Sequence, residues 1–187
     1  MEMDRDDGGI RLVFVGMSGA GKTTLINMLT NLIMKKNYKD KRAIAITQRQ
    51  FFTDINTGEI MGETINCNIE SFKDRQSDNL AGGQDQSRTQ CCNYYEFNTD
   101  DFGITLIDTP GIGGRDGKAQ DDDNLKNIVN AVAAIGTIHG IVLVHKECDT
   151  RLNPSTKYIL QELRSLLPRE YRSEERRVGK ECLRLCR

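Results

Sequence analysis

No tryptophan occurs in the 187 residues, proline appears three times, histidine twice, and aromatic residues make up 6%. Three prolines against 17 glycines exclude Pro-rich and collagen-like architectures. No apolar run much exceeds about five residues, and a membrane-spanning helix needs about 20. Neither sign of charge dominates: 26 Lys and Arg face 27 Asp and Glu, for a net charge of -1. Such a balance supplies no field for nucleic acid or an anionic membrane surface, so neither is an expected partner. The first seven residues, Met1-Glu2-Met3-Asp4-Arg5-Asp6-Asp7, are acidic and lack the apolar core of a secretory signal. Glu2 stands where N-myristoylation requires glycine. The six cysteines include no C-x-x-C pair, and Cys91 and Cys92 are adjacent. They read as reduced thiols, and the chain is expected to be cytoplasmic.

What is present is one soluble domain's worth of chain, 37% apolar and 28% charged. Its two ends differ in character. Residues 172–182, Arg-Ser-Glu-Glu-Arg-Arg-Val-Gly-Lys-Glu-Cys, resemble the in-frame translation of a common short-read sequencing adapter. The segment 172–187 is therefore expected to be a non-native tail and is set aside from the fold. It carries six Lys/Arg against three Glu, which leaves 1–171 mildly acidic at 20 basic and 24 acidic residues.

Residues 1–9 read as a flexible N-terminus and 10–171 as a partial domain. Ile10–Val15 is a short apolar run ending at Gly16, the pattern of a buried strand. A helix follows, with Leu25, Met28, Leu29, Leu32 and Ile33 assigned to its inner face, fading at Lys35-Lys36-Asn37. Residues 38–93 are too long for a structureless connection and are expected to carry some β structure. Ala43–Thr47 is strand-like, Ile65, Cys67 and Ile69 alternate, and Asp74–Gln90 is polar and reads as a mobile loop. Tyr94–Asn98 and Gly103–Asp108 are strands around a turn. A second helix places Leu125, Ile128, Val129, Val132 and Ile135 on one face and stops at Gly136. Ile141–Val144 is another buried strand, and a helix capped by Asn153-Pro154 runs to Pro168. Strands alternating with helices predict an α/β fold with a mainly parallel sheet.

Two motifs carry chemistry. Gly16-Met17-Ser18-Gly19-Ala20-Gly21-Lys22-Thr23 fits G-x-x-x-x-G-K-[ST] at every fixed position. It lies between a strand and a helix, where loop N–H groups and a helix N-terminus form an anion cradle. Lys22 can reach β- and γ-phosphates as a point charge, Thr23 can place its hydroxyl on Mg²⁺, and Thr24 follows in the first helical turn. The second motif is Asp108-Thr109-Pro110-Gly111, delivered by an apolar strand. Asp108 can hold Mg²⁺ through water, and Gly111 can bring its N–H to a γ-phosphate. Strand, phosphate loop and strand-borne sensor together resemble the P-loop GTPases, whose third motif is D-x-x-G.

The resemblance extends to a branch. Ser87-Arg88-Thr89-Gln90-Cys91 with Cys92 looks like the S-x-T-x-x-C arrangement of the immunity-associated (GIMAP) GTPases and their septin- and Toc-like relatives. So does the longer run Asp108–Gly113. This implies a three-layer P-loop NTPase sandwich truncated before the fifth strand, with 38–93 as a long switch I region. It also implies Thr89 as the switch threonine that completes the Mg²⁺ shell, with Thr99 and Thr64 as lesser candidates. The ligand implied is GTP or GDP with Mg²⁺, hydrolysis is slow, and a homodimer of G domains is a candidate assembly. An ATP-using P-loop protein and a nucleotide-dependent dimerisation module without turnover are the alternatives.

Other features are assigned no chemistry. Ile112 stands where Ras-type enzymes orient water with glutamine, and its side chain has no hydrogen-bonding group. Arg115 reads as an exposed loop arginine. Lys146-Glu147-Cys148-Asp149 has one residue too many for the guanine-reading N/T-K-x-D motif and follows the wrong strand. By strand count the domain's own sequence stops at Tyr171, where a fifth strand should start, so that motif is expected to be missing from these residues. Asp121-Asp122-Asp123 complements a helix dipole, and His139 and His145 flank a strand.

Overall fold

A computed structural model describes residues 9–73, 91–100, 102–113 and 118–145, with 157, 158, 160 and 161. Thr89, Arg115, the Lys146–Asp149 run and the 172–187 tail lie outside the described residues, as do residues 1–8. The chain divides into two units, Met1–Cys148 and Asp149–Arg187. The four described residues of the second unit are helical, within the stretch where the Asn153-Pro154 start predicts a helix.

In the first unit β1 (Ile10–Gly16) leads to α1 (Lys22–Ile33), then β2 (Gln48–Thr53) and β3 (Ile60–Ile65). A single 3₁₀ turn at Glu70–Phe72 precedes β4 (Asn93–Asn98) and β5 (Gly103–Asp108), which are followed by α2 (Lys118–Ile135) and β6 (Gly140–Val144). Four strands form the main sheet in the order β4-β5-β1-β6. β1 runs parallel to both β5 and β6, while β4 is antiparallel to β5. This is the mixed α/β sheet of a P-loop NTPase. The registers Phe14↔Asp108 and Gly16↔Val144 bring the C-terminal ends of β1, β5 and β6 to one edge. The two motifs therefore meet at the carboxyl ends of parallel strands, where α/β sheets bind ligands.

Phe14, Ile26, Tyr95, Phe97 and Leu106 form the core with Ala45, Ile46 and Phe72. Phe72 stands edge-on to Tyr95 and Phe97, with ring centroids 5.3 and 5.2 Å away. Edge-to-face pairs of this kind add roughly 0.5–1.5 kcal/mol each beyond area burial. The 3₁₀ turn thereby fastens residues 66–73 to β4.

Two expectations need correction. Met28 and Leu32 are 63% and 73% exposed, so they do not line the inner face of α1. That face is Lys22, Ile26, Asn27 and Thr30, flanked by the half-buried Leu25, Leu29 and Ile33. The reason is the second correction: Ala43–Thr47 is buried, but it is not a strand. Its backbone is paired with side-chain amides. Asn27 Oδ1 accepts the Ala45 and Ile46 N–H groups at 2.9 Å each, and Asn27 Nδ2 donates to the Ile46 carbonyl at 2.9 Å. Asn31 exchanges the same pair of bonds with Ala43, and Asn68 Oδ1 accepts from Ile44 N–H at 2.7 Å. A helix that must present asparagines inward turns two apolar residues outward. Buried backbone groups need partners, and amides can replace a ladder.

The β structure expected within 38–93 is a separate two-stranded ribbon, β2 and β3, with register Gln48↔Ile65 to Thr53↔Ile60. Asp54 closes its turn by accepting the Asn56 and Thr57 N–H groups. Gly58 at φ +72° completes the loop.

Candidate functional site

Gly16 ends β1 with φ +156°, and a Cβ there would lie 2.3 Å from the Val144 carbonyl oxygen. No side chain fits, because β6 passes too close. Gly19 and Gly21 take positive φ of 68° and 101°, which lets the loop turn back on itself before α1. α1 then begins with no side-chain cap and no acidic residue in its first turn. Its leading N–H groups and the positive end of its dipole are thus left facing the loop.

Lys22 is buried and folds over that loop. Its Nζ donates to the carbonyls of Gly16 and Met17, each at 3.1 Å. Burial lowers its pKa from the ordinary 10.5, and the nearby Asp108 carboxylate opposes the shift. Asp108, the last residue of β5, is fully buried. Thr109 is buried as well and donates its hydroxyl to the Phe14 carbonyl at 2.6 Å, which ties the β5 exit to β1.

The loop after Asp108 lies directly on the phosphate-loop motif. Met17 and Ile112 form a parallel bridge. Ile112 N–H donates to the Gly16 carbonyl and Ser18 N–H to the Ile112 carbonyl, both at 3.3 Å. A Cβ on Gly111 would fall 2.5 Å from Ser18 Cα and 2.6 Å from its nitrogen, so glycine is obligatory for this approach. Ile112 itself is buried in the core and does not face the loop's surface.

Gly16, Met17, Ser18, Lys22, Asp108 and Gly111 are therefore gathered at one sheet edge. Gly19, Ala20 and Gly21 complete the turn, and Thr23 and Thr24 open α1. Among the described residues no group of three His, Cys, Asp or Glu could hold a metal ion alone. A single buried carboxylate at the end of β5, with Thr23 in the first turn of α1, fits an ion whose remaining ligands would be phosphate oxygens. Of the S-x-T-x-x-C stretch only the cysteines are described. Burial raises the Cys92 thiol to about 12, with Asp108 and Cys91 adding to the shift, so it is un-ionised near neutral pH. Its Sγ lies 3.6 Å from the Asn127 carbonyl, which it faces as a weak donor.

Two site residues gave no signal of this role in the sequence. Asp121 Oδ1 accepts the Gly113 N–H at 2.8 Å, so the first acid of the Asp triplet grips the loop as well as complementing the dipole. Asn124 is buried and donates from Nδ2 to the Gly111 carbonyl at 2.9 Å. The spacing of three residues on a helix would have put both on one face, but neither lies on an apolar period. His139 accepts the Arg11 N–H through Nδ1 at 3.1 Å, in the structural role expected of it. No helix among the described residues is long and apolar enough to cross a membrane.

The profile of the family described as 50S ribosome-binding GTPase matches residues 11–176. No curated protein matches the chain. A match over most of the sequence, on a sheet that carries both motifs at its carboxyl edge, places this chain in that family of P-loop GTPases.

Proposed function

We propose that the chain binds GTP and GDP with Mg²⁺ and hydrolyses GTP slowly, as a cytoplasmic switch or assembly GTPase of the immunity-associated, septin-like and Toc-like branch. The observation that carries the reading is the seating of Gly111 against Ser18, in the loop whose Gly16 and Met17 carbonyls hold Lys22, itself within electrostatic reach of Asp108. It joins the phosphate loop and the strand-borne sensor into one responsive unit. In this reading the Lys22 ammonium leaves the Gly16 and Met17 carbonyls for the β- and γ-phosphates. Thr23, Asp108 and Thr89 hold Mg²⁺, which offsets charge on the phosphates. Gly111 offers its N–H to the γ-phosphate, and Gly16–Thr24 wrap the remainder. Catalysis by such residues is positioning and charge neutralisation.

The test is a fluorescent GDP titration in competition with GTP and ATP, with Mg²⁺ and with a chelator, on a chain continued past Tyr171 into the expected base-reading segment. GTP should displace the probe and ATP should not, and the chelator should weaken binding. Equal competition by ATP overturns the guanine reading.

Burial of Ile112 favours a second reading, in which nucleotide drives pairing of two G domains without turnover. With no water-orienting side chain after Gly111, that group would have to come from elsewhere, a partner copy included. Single-turnover hydrolysis measured beside size-exclusion elution separates the two: a GTP-dependent dimer with no hydrolysis selects the second.

A further inference from the structure

Gly111–Gly113 is held from two sides. On one side the phosphate loop takes Ile112 through the Gly16 carbonyl and the Ser18 N–H. On the other, α2 takes Gly111 and Gly113 through Asn124 and Asp121. Asn124 is the more constrained of the two: it is buried, and its own Oδ1 accepts from Gln120 Nε2 at 3.1 Å, one turn earlier on the helix. That bond fixes which end of the amide faces Gly111, since Oδ1 is occupied by a donor and Nδ2 is left to donate.

The peptide plane between Gly111 and Ile112 is thus pinned at both polar ends. Its carbonyl is held by Asn124 and its N–H by the Gly16 carbonyl. The plane before it, from Pro110 to Gly111, carries the Gly111 N–H. Glycine at 111 allows that plane to turn about the pinned one, which no residue bearing a Cβ against Ser18 could do. We infer that Asn124 is a positioning residue: it makes the Gly111 carbonyl a fixed pivot, so that the Gly111 N–H meets a γ-phosphate in register and its movement reaches α2. Asp121 supports the same loop two residues on. This rests on the guanine-nucleotide reading above and adds to it the residue that sets discrimination between GTP and GDP.

The experiment compares the full chain with Asn124→Asp and Asp121→Ala. Asn124→Asp keeps the side chain's shape but turns a carboxylate oxygen toward the Gly111 carbonyl. Affinities for GDP and for a non-hydrolysable GTP analogue are measured by fluorescent-nucleotide competition. Hydrogen exchange is followed over 118–128 with each ligand. GDP affinity should stay within about twofold, while the analogue should weaken about five- to tenfold in Asn124→Asp, the scale of one buried hydrogen bond lost. Asp121→Ala, at a partly exposed position, should show the same selective loss to a smaller degree. Analogue-specific protection of 118–128 should disappear in both. Parallel loss of GDP and analogue affinity in the variants, or no change in either, overturns the proposal while leaving the parent's nucleotide binding intact. A parent chain that binds neither guanine nucleotide overturns both this proposal and the reading it rests on.

Discussion

Lys22 and Gly16 are joined across the phosphate loop by a 3.1 Å hydrogen bond from the ammonium to the carbonyl. A second bond of equal length to Met17 completes the clasp. The cation thus occupies the loop's own acceptors, at the cost of burial.

From this, Lys22→Met should abolish triphosphate binding yet raise the thermal midpoint of the ligand-free chain. The sign follows from linkage. Burial sets the folded pKa below 10.5, so between those values the unfolded chain binds more protons and stability from this group rises with pH. The advantage of methionine over lysine should therefore be largest near neutrality and shrink toward alkaline pH. Urea midpoints of the two proteins across pH 7 to about 10 measure it. Undiminished nucleotide affinity in the variant would remove the phosphate-loop assignment.

Asp108→Ala and Thr89→Ala should part company. Losing the buried carboxylate should weaken Mg²⁺-dependent binding of GDP and GTP alike. Losing Thr89 should spare GDP and weaken only the response to the γ-phosphate, as a switch residue does. Titrations with both nucleotides at several Mg²⁺ concentrations distinguish the patterns. Equal losses for GDP and GTP in Thr89→Ala would move the switch role to another threonine.

Asn27→Leu should destabilise the fold by about 2–4 kcal/mol. Two N–H groups and a carbonyl of the 45–46 segment would be left buried without their amide partner. Asn27→Asp should be milder at low pH than at neutral pH, because only the protonated carboxyl can still donate to the Ile46 carbonyl. Chemical denaturation at pH 4 to 7, or roughly that range, reads both effects. A loss of a few tenths of a kcal/mol or less would mean the segment is held by packing alone.

Ile112→Gln should not accelerate GTP hydrolysis. The side chain at this position is buried in the core, so a glutamine amide would be desolvated there instead of facing attacking water. A fall of about 1–3 kcal/mol in stability with no gain in single-turnover rate is expected. A rate increase of tenfold or more would show that the loop can turn this residue outward.

The main sheet and both motifs were legible because they rest on short-range rules. Apolar runs ending at Gly16 and Asp108 gave the strands, and the fixed spacing from Gly16 to Thr23 gave the loop. The inner face of α1 was not legible. Met28 and Leu32 satisfy the helical period, but Asn27 and Asn31 are drawn inward by backbone groups 12 to 19 residues away. Periodicity measures side-chain polarity, and it has no means of registering a main-chain demand from another segment. Ala43–Thr47 misled for the same reason: its composition suits a strand, yet what it pairs with is amides. Asn124 and Asp121 were invisible as loop grips because their partners are carbonyl and N–H groups, which every sequence has.

The ribbon formed by β2 and β3 leaves and rejoins the domain at nearly one point. Thr47 Oγ1 accepts the Cys67 N–H at 2.9 Å, immediately outside the paired stretch, and below it the asparagine-held segment is complete without the ribbon. The excursion in between therefore behaves as a cassette on a two-post mount. Exchanging its length or sequence should therefore leave the bonds from Asn27, Asn31 and Asn68 to residues 43–46 in place.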